Sequence, residues 1–238
     1  YGMHWPFKQH KTSRNIKKLP HHENLKNFGA CFGVTSGYER PMWFALNGKK
    51  AEYEYSYNYQ NWYPSAEYET SNTVKNVGLF DLTPFSKFEI KSNQAHQELQ
   101  KICTANIKNE VGKCTYTHML NSDGGIETDL TVVCLNKNHF RIISSAATRE
   151  RDKFHIKKYL SKGLELKDVT DDLCVFGLFG PKSRNLIKIL SKDNFDKDQF
   201  KFGTAKYISI EEVKIWAQRL SYVGELGYEL YVETKDAK

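Results

Sequence analysis

The sequence predicts an α+β fold, built mainly from antiparallel sheets that are flanked by helices. Short apolar or alternating runs are separated by turn residues along most of the 238 residues, which is typical of strands. Tight turns between neighbouring runs predict hairpins, and hairpins produce antiparallel sheets. No G-x-G-x-x-G opens a helix after a strand, so a doubly wound dinucleotide-binding fold is not expected.

The first 75 residues carry weak secondary-structure signals. A basic stretch leads to a short helix predicted over 22–28, and His21-His22 lie in polar surroundings that predict a surface pair. Glycines and a proline break residues 29–44 into short extended pieces. Residues 45–75 are polar, rich in Tyr and Asn and poor in Lys and Arg, so partly buried loop aromatics are expected rather than a base-stacking surface.

From residue 77 onward the patterns are stronger. Asn93 is predicted to cap a helix over 94–103, Thr148 caps one that runs to residue 160, and Gly180-Pro181 opens a third through residue 190. The predicted strands are 77–85, 86–90, 114–120, 126–135, 139–146, 171–179, 206–210, 212–217 and 229–232.

The composition favours an anionic partner and a reducing compartment. The chain has 35 basic and 28 acidic residues, and its net charge of +7 attracts anions. The lysines are spread along the chain without a nucleic-acid signature, and charge alone does not separate nucleic acid from a small anionic ligand. The five cysteines lack metal-ligand spacing, and no signal peptide or long apolar segment is present. A cytoplasmic protein without a metal site or membrane contact is therefore expected.

The hairpin at residues 112–133 carries a carboxylate in an unusual place. Its turn, Asn121–Gly125 in the sequence, contains Asp-Gly-Gly between two apolar strands. Asp129 lies in the middle of the return strand among β-formers, where a carboxylate is disfavoured unless it faces water or a ligand. From the pattern alone, a solvent-facing polar edge is the commoner explanation.

The hairpin resembles the signature of the folate-binding aminomethyltransferase family, the glycine cleavage T-proteins, through Tyr116, Gly124-Gly125 and Asp129-Leu130. The resemblance implies a T-protein-like fold that binds tetrahydrofolate, with Asp129 as the catalytic residue and Tyr116 as a cofactor contact. It also implies that Tyr222 and Glu229 match two folate-contacting positions. Ser145 stands where the free-standing T-protein has an Asn, and it completes the expected cofactor-binding set.

The first 45 residues are similar to a different part of related enzymes. Tyr38-Glu39-Arg40-Pro41 resembles the segment that leads from the flavin domain into the folate domain of dimethylglycine and sarcosine dehydrogenases. The resemblance implies a linker over 1–45 that follows a missing flavin domain, and a folate-binding domain over 46–238 that is truncated at its C-terminus. FAD would then belong to the missing domain only.

The function implied by both resemblances is one-carbon transfer. The chain would capture the methylene of an iminium as 5,10-methylenetetrahydrofolate, beside a flavin domain of the same parent chain that oxidises a small N-methylated amine. No nucleic acid partner is implied, and the compartment would be the cytoplasm, or the mitochondrial matrix in a eukaryote. Two alternatives stay open: a free-standing aminomethyltransferase, and a non-catalytic regulatory paralogue like the pyruvate dehydrogenase phosphatase regulatory subunit.

Overall fold

Two five-stranded antiparallel sheets face each other in the computed structural model, which describes residues 8–46, 48–222 and 224–238. Helices cover the outer faces of the sheets, and this arrangement confirms the predicted α+β fold. The strands in the described ranges are β1 (Ala30–Thr35), β2 (Tyr38–Phe44), β3 (Gly78–Asp81), β4 (Ser86–Lys91), β5 (Cys114–Leu120), β6 (Ile126–Asn136), β7 (His139–Ser144), β8 (Leu166–Asp168), β9 (Leu173–Phe179), β10 (Thr204–Ile210), β11 (Val213–Arg219) and β12 (Gly227–Glu233). The helices there are α1 (His22–Asn27), α2 (Tyr63–Lys75), α3 (Ala95–Ile102), α4 (Arg149–Tyr159) and α5 (Ser183–Leu190).

The strand order brings segments that are distant in sequence side by side. The first sheet has the order β5-β6-β7-β4-β8, and the second sheet has the order β10-β11-β12-β9-β3. β1 and β2 form a separate hairpin, whose turn places Ser36 and Gly37 at positive φ. The predicted hairpin of residues 112–133 is confirmed as β5 and β6, and its turn is held by Asn121, whose side-chain oxygen accepts from Gly125 N–H at 2.8 Å.

Alternation along the strands sends one set of side chains outward to the helices. In β6 this set includes Leu130 and Val132, which pack in a fully buried cluster with Leu99 of α3 and Ile156 of α4. The outer face of the second sheet packs in the same way against α5, through Ile187. Burial of these apolar side chains at roughly 25 cal/mol per Å² is the main stabilising contribution to each layer.

The inner faces of the two sheets pack against each other through a smaller core. It contains Val133, Val175, Ala205, Trp216 and Tyr231, from both sheets. Because side chains alternate along a strand, every second residue of β5, β6, β11 and β12 points into this space between the sheets. We call this space the inter-sheet cleft.

One edge of the inter-sheet cleft is closed by backbone hydrogen bonds. Ala205 N–H donates to Gly112 O at 2.6 Å, and Cys114 N–H donates to Gly203 O at 3.0 Å. Gly112 has φ +82, and a Cβ there would lie 2.2 Å from the Ala205 oxygen, so the contact requires glycine. The contact fixes β5, and with it the hairpin that carries Asp129, relative to the second sheet.

The prediction of a loop over residues 45–75 is wrong for its second half, where α2 forms. Pro64 stands in the first turn of this helix, where its missing N–H costs nothing. The helix has no continuous apolar stripe, so its sequence shows little helical periodicity. It is held partly by Glu69, whose carboxylate accepts from Phe44 N–H at 2.7 Å.

The prediction that His21 and His22 form a surface pair is also wrong, because both side chains are buried. His21 Nε2 lies 3.2 Å from the Asp81 carboxylate, and His22 stacks on Phe32 with ring centroids 4.0 Å apart. Burial alone lowers the pKa of His21, but the hydrogen bond with Asp81 and the proximity of Cys174 raise it to about 9. The sequence around His21 is polar and gives no sign that Asp81, which is distant in sequence, pairs with its side chain.

The lead-in residues are tied to the second sheet. Leu19 and Tyr38 belong to its outer core, and Lys17 forms an ion pair with Asp171 at 2.5 Å. The boundary at residue 45 stays a prediction. No helix in the described parts of the chain combines the length and apolarity needed to cross a membrane.

Candidate functional site

Asp129 lies on the inner face of β6, at the mouth of the inter-sheet cleft. It shares this face with Thr131 and Val133, and Val133 is part of the core between the sheets. Four residues of strand separate Asp129 from Val133, or about 13 Å. Asp129 is exposed at that distance, whereas Val133 is fully buried. The strand therefore runs from the closed interior to a solvent-accessible carboxylate.

Tyr116 is the hydrogen-bond partner of Asp129. Its hydroxyl donates to Asp129 Oδ2 at 3.2 Å from the neighbouring strand β5, where Tyr116 pairs with Thr131. Partial desolvation, followed by the negative charge and the hydrogen bond of Asp129, raises the pKa of Tyr116. The phenol therefore stays protonated and donates, which leaves the second carboxylate oxygen of Asp129 open to a ligand.

Glu229 lies deeper in the cleft, on the inner face of β12. It pairs with Gln218 of β11 on one side and with Gly177 of β9 on the other. The Tyr231 hydroxyl donates to Glu229 Oε2 at 2.8 Å. Burial raises the pKa of Glu229, and the hydrogen bond from Tyr231 partly offsets that rise. No Lys or Arg in the described ranges lies within ion-pair distance of this carboxylate, which is therefore an acceptor without a countercharge.

An aromatic wall stands beside Glu229, formed by Phe179 of β9 and Phe80 of β3. Their ring centroids are 5.9 Å apart, and Phe80 is partly exposed. The Phe179 ring lies over two glycines, since a Cβ would approach it to 2.0 Å at Gly227 and to 2.3 Å at Gly177. The glycines leave room for the ring, so this part of the sheet presents an apolar surface.

The two other predicted site residues lie near Asp129 but make no hydrogen bond to it. The register Leu130↔Ser144 places Ser145 beside Asp129 at the end of β7, and its hydroxyl accepts from Ala147 N–H at 3.3 Å. Tyr222 is 96% exposed, on the loop before β12. Its electrostatic effect is the smallest of the causes that raise the pKa of Tyr116.

The geometry thus brings together Tyr116 and Asp129, with Tyr222 and Ser145 around them, while Glu229 is half-buried further along the cleft. Among the described residues, no group of three His, Cys, Asp or Glu side chains is placed to hold a metal ion. The cleft offers carboxylates, hydroxyls and flat rings, which suits a planar organic ligand that carries hydrogen-bond donors.

The model of the GCVT N-terminal domain family matches residues 21–238, which is most of the chain. The chain belongs to this family. The match begins before residue 45 and includes both sheets, so the hairpin with Asp129 and the strand with Glu229 are parts of one GCVT N-terminal domain.

Curated relatives of this GCVT domain are much longer proteins. A 4-methylaminobutanoate oxidase (formaldehyde-forming) of Paenarthrobacter nicotinovorans is 36% identical over 97% of this chain, which covers 28% of that protein. The mitochondrial dimethylglycine dehydrogenase of Rattus norvegicus is 33% identical over 86% of this chain and 24% of the relative. The chain thus spans about a quarter of the length of these relatives.

A solved structure shares the fold. The glycine cleavage system aminomethyltransferase T from Bartonella henselae superposes with a TM-score of 0.74 over 93% of this chain and 55% of that one, at 20% sequence identity. This likeness confirms the T-protein-like fold that the hairpin signature implied.

Sequence reasoning missed several residues of the GCVT-domain cleft. Tyr231 follows Glu229 by two residues in one strand, so the period of two could have placed both on one face. Gly177 and Gly227 inside strands signal a close approach, here by Phe179. Gln218 and Phe80 gave no local signal, because their role depends on which strands become neighbours.

Proposed function

We propose that the chain is the tetrahydrofolate-binding, one-carbon-transfer part of a dimethylglycine/sarcosine dehydrogenase-like enzyme. In this proposal it captures the methylene of an iminium as 5,10-methylenetetrahydrofolate. The observation that carries the proposal is the pair of carboxylates on one cleft: Glu229 inside, without a countercharge, and Asp129 at the mouth, held by Tyr116.

Glu229 fits the donor edge of a pterin. A pterin ring presents its amino group and a ring N–H side by side, and both are donors that need acceptors. Tyr231 occupies one oxygen of Glu229 and leaves the other available. A carboxylate that accepts two charge-assisted hydrogen bonds holds such a ring in one orientation. Among the described residues, no Lys or Arg forms an ion pair with Glu229, so its carboxylate is available to bind a ligand.

The aromatic wall fits the flat faces of the same ring. Phe179 and Phe80 offer an apolar surface next to Glu229, and offset stacking of rings adds about 0.5–1.5 kcal/mol beyond burial. In this arrangement Glu229 would bind the donor edge of a planar ligand, and the aromatic wall would contact its face. This combination supports a pterin more strongly than a flexible anion, for which a cationic site would be expected.

Asp129 is the residue to which we assign the chemistry. Tetrahydrofolate supplies, when bound, the nucleophilic nitrogens that accept the carbon. The Asp129 carboxylate orients that end of the ligand and stabilises the positive charge that develops at the transferred carbon. Its place on a strand, with the Tyr116 hydroxyl on one oxygen, limits its movement and so favours productive geometry.

The relatives support a role beside an amine-oxidising unit. Two of them are named as an oxidase and a dehydrogenase of N-methylated amines, and this chain matches only about a quarter of each. We infer that the iminium is made by a flavin domain of the same parent chain and that FAD binds there. The folate, the amine product and that flavin domain are then the partners of this chain.

Calorimetry with tetrahydrofolate, under nitrogen, tests the proposal on the 238-residue chain. Glu229→Gln replaces one acceptor oxygen with an NH₂ that faces a donor, so the expected loss is roughly 1.5–3 kcal/mol, a charge-assisted hydrogen bond, or about 10- to 100-fold in Kd. Glu233→Gln is the matched control, because this exposed residue lies on the same strand and pairs with Lys235. Equal affinity in all three proteins, or no binding by the wild type, would overturn the proposal.

A further inference from the structure

Gln218 is a fully buried polar residue that the function described above does not use. It lies on the inner face of β11 in the inter-sheet cleft, with no exposed surface. Its Nε2 is buried without a hydrogen-bond partner in the described parts of the chain. Buried donors are nearly always satisfied, so this one calls for a functional explanation.

The orientation of the Gln218 amide is set by Cys114. The Cys114 Sγ lies 3.9 Å from Gln218 Oε1 and is placed to donate to it. Burial, together with the nearby charge of Glu229, raises the pKa of the Cys114 thiol to about 12, so the thiol keeps its proton. A thiol donor requires the amide oxygen to face it, and the amide NH₂ then faces away from Cys114.

The side chain across the ladder from Gln218 is Glu229. The two residues are direct partners in the β11–β12 register, so their side chains leave the sheet on the same face with Cβ atoms about 4.5–5.5 Å apart. The other neighbour of Glu229, Gly177, has no side chain to offer. The two side chains make no hydrogen bond in the structure, but at this Cβ separation a rotation of the Gln218 side chain can bring its unpaired donor to the Glu229 carboxylate.

We propose that Gln218 is a positioning residue for Glu229: its NH₂, which has no partner among the residues that the structure describes, rotates to donate to the carboxylate and keeps it ionised and aimed at the ligand. This inference rests on the proposed function, since it gives Glu229 the role of pterin acceptor. With Tyr231 and Gln218 both donating, the remaining lone pairs of the carboxylate point to the cleft. A protonated Glu229 would instead present a donor to the donors of the pterin.

None of the other groups described around Glu229 is a cation that stabilises its charged form, so its ionisation depends on hydrogen-bond donors such as the Gln218 NH₂. Tyr231 of the same strand donates to it, and Cys114 of β5 stays neutral and protonated. Arg141 of β7 stacks over the Tyr231 ring, 5.5 Å from its centroid, and forms its ion pair with Glu89. No cation among the described residues therefore neutralises Glu229, and burial favours its protonated form. A donor to the charged form opposes that tendency.

The test measures the titration of Glu229 in the ligand-free chain by ¹³C NMR of its carboxyl carbon, assigned by its loss in Glu229→Gln. Gln218→Met keeps the volume of the side chain and removes the donor. We expect the titration midpoint of Glu229 to rise by about one pH unit in Gln218→Met, a tenfold change in proton affinity. The pH at which tetrahydrofolate binding falls to half should rise by the same amount.

An unmoved midpoint in a folded Gln218→Met protein would overturn the inference, even if folate bound more weakly at every pH, because that pattern marks a purely structural role. If the variant does not fold, the wild-type side-chain NH₂ of Gln218 gives a second readout by ¹⁵N NMR. Its shift should titrate with the Glu229 midpoint, and a shift independent of pH would overturn the inference. Both readouts are measured without ligand. They can therefore be interpreted even if the wild type does not bind tetrahydrofolate, which is the result that would overturn the proposed function.

Discussion

Gly227→Ala is predicted to displace the Phe179 ring of the aromatic wall through a single steric clash. Gly227 does not have a positive φ, so alanine suits the backbone, but its Cβ would lie 2.0 Å from Phe179 Cδ1. Carbon atoms pack at about 3.5–4.0 Å, so the ring must move by roughly 1.5 Å or more. Such overpacking costs about 1–3 kcal/mol. The displaced ring also leaves its contact with Phe80, which should weaken tetrahydrofolate binding.

A double-mutant cycle isolates this contact. Urea unfolding of the wild type, Gly227→Ala, Phe179→Ala and the double variant gives the four free energies of unfolding. Phe179→Ala removes the ring that the new Cβ would strike, so Gly227→Ala should cost close to nothing in that background. The coupling energy should therefore be on the order of 1–2 kcal/mol, within the range for residues in contact. Additive costs would refute the close contact between Phe179 and Gly227.

Two further predictions concern the buried pair of His21 and Asp81 and the proposed catalytic residue. Because the pKa of His21 rises from 6.5 to about 9, its stabilising contribution is full below pH 6.5 and is lost as pH rises through 9, by on the order of 3 kcal/mol. The unfolding free energy should show this loss relative to the non-titrating His21→Gln/Asp81→Asn variant; parallel pH profiles would contradict it. In the longer flavoprotein that we propose contains this chain, Asp129→Asn should lower folate-dependent carbon capture on the order of 10²-fold and leave amine oxidation intact; loss of both activities, or of neither, would count against the role of Asp129.

Local sequence signals predicted the part of the fold that depends on neighbours in the chain. The β5–β6 hairpin was predicted because Asn121-Ser122-Asp123-Gly124-Gly125 combines turn chemistry with two strand-forming runs. The helix α2 was missed because its buried face is short and its sequence is largely polar, so contacts such as Glu69 with Phe44 hold it instead of an apolar stripe.

The site was predictable only as far as a known signature extended. Asp129, Tyr116 and Glu229 were singled out by resemblance, and the structure brings the first two into hydrogen-bond contact. The partners that set their chemistry, such as Gln218 opposite Glu229, depend on the order β11-β12-β9 in the second sheet. Pairing between distant segments is not encoded in any local pattern, so these residues became visible only in three dimensions.

The burial of His21 could not be predicted from sequence either, for the same reason. His21 has polar neighbours in sequence, yet its ring is enclosed by Phe176, at 4.9 Å between centroids, and by Asp81. Burial of a polar group is favourable only when it has a partner, and that partner lies 60 residues away. A local reading therefore assigns such a residue to the surface.

The most direct measurement of the central claim is an NMR titration of the 238-residue chain with tetrahydrofolate, read residue by residue. We expect the largest shifts to fall on the inter-sheet cleft: the Glu229 carboxyl, the Tyr116 and Asp129 pair at its mouth, and the ring of Phe179. The predicted saturation point is the same at all of these positions, because one ligand spans them. Shifts confined to another surface, with these residues unmoved at saturation, would contradict the claim that the inter-sheet cleft binds folate.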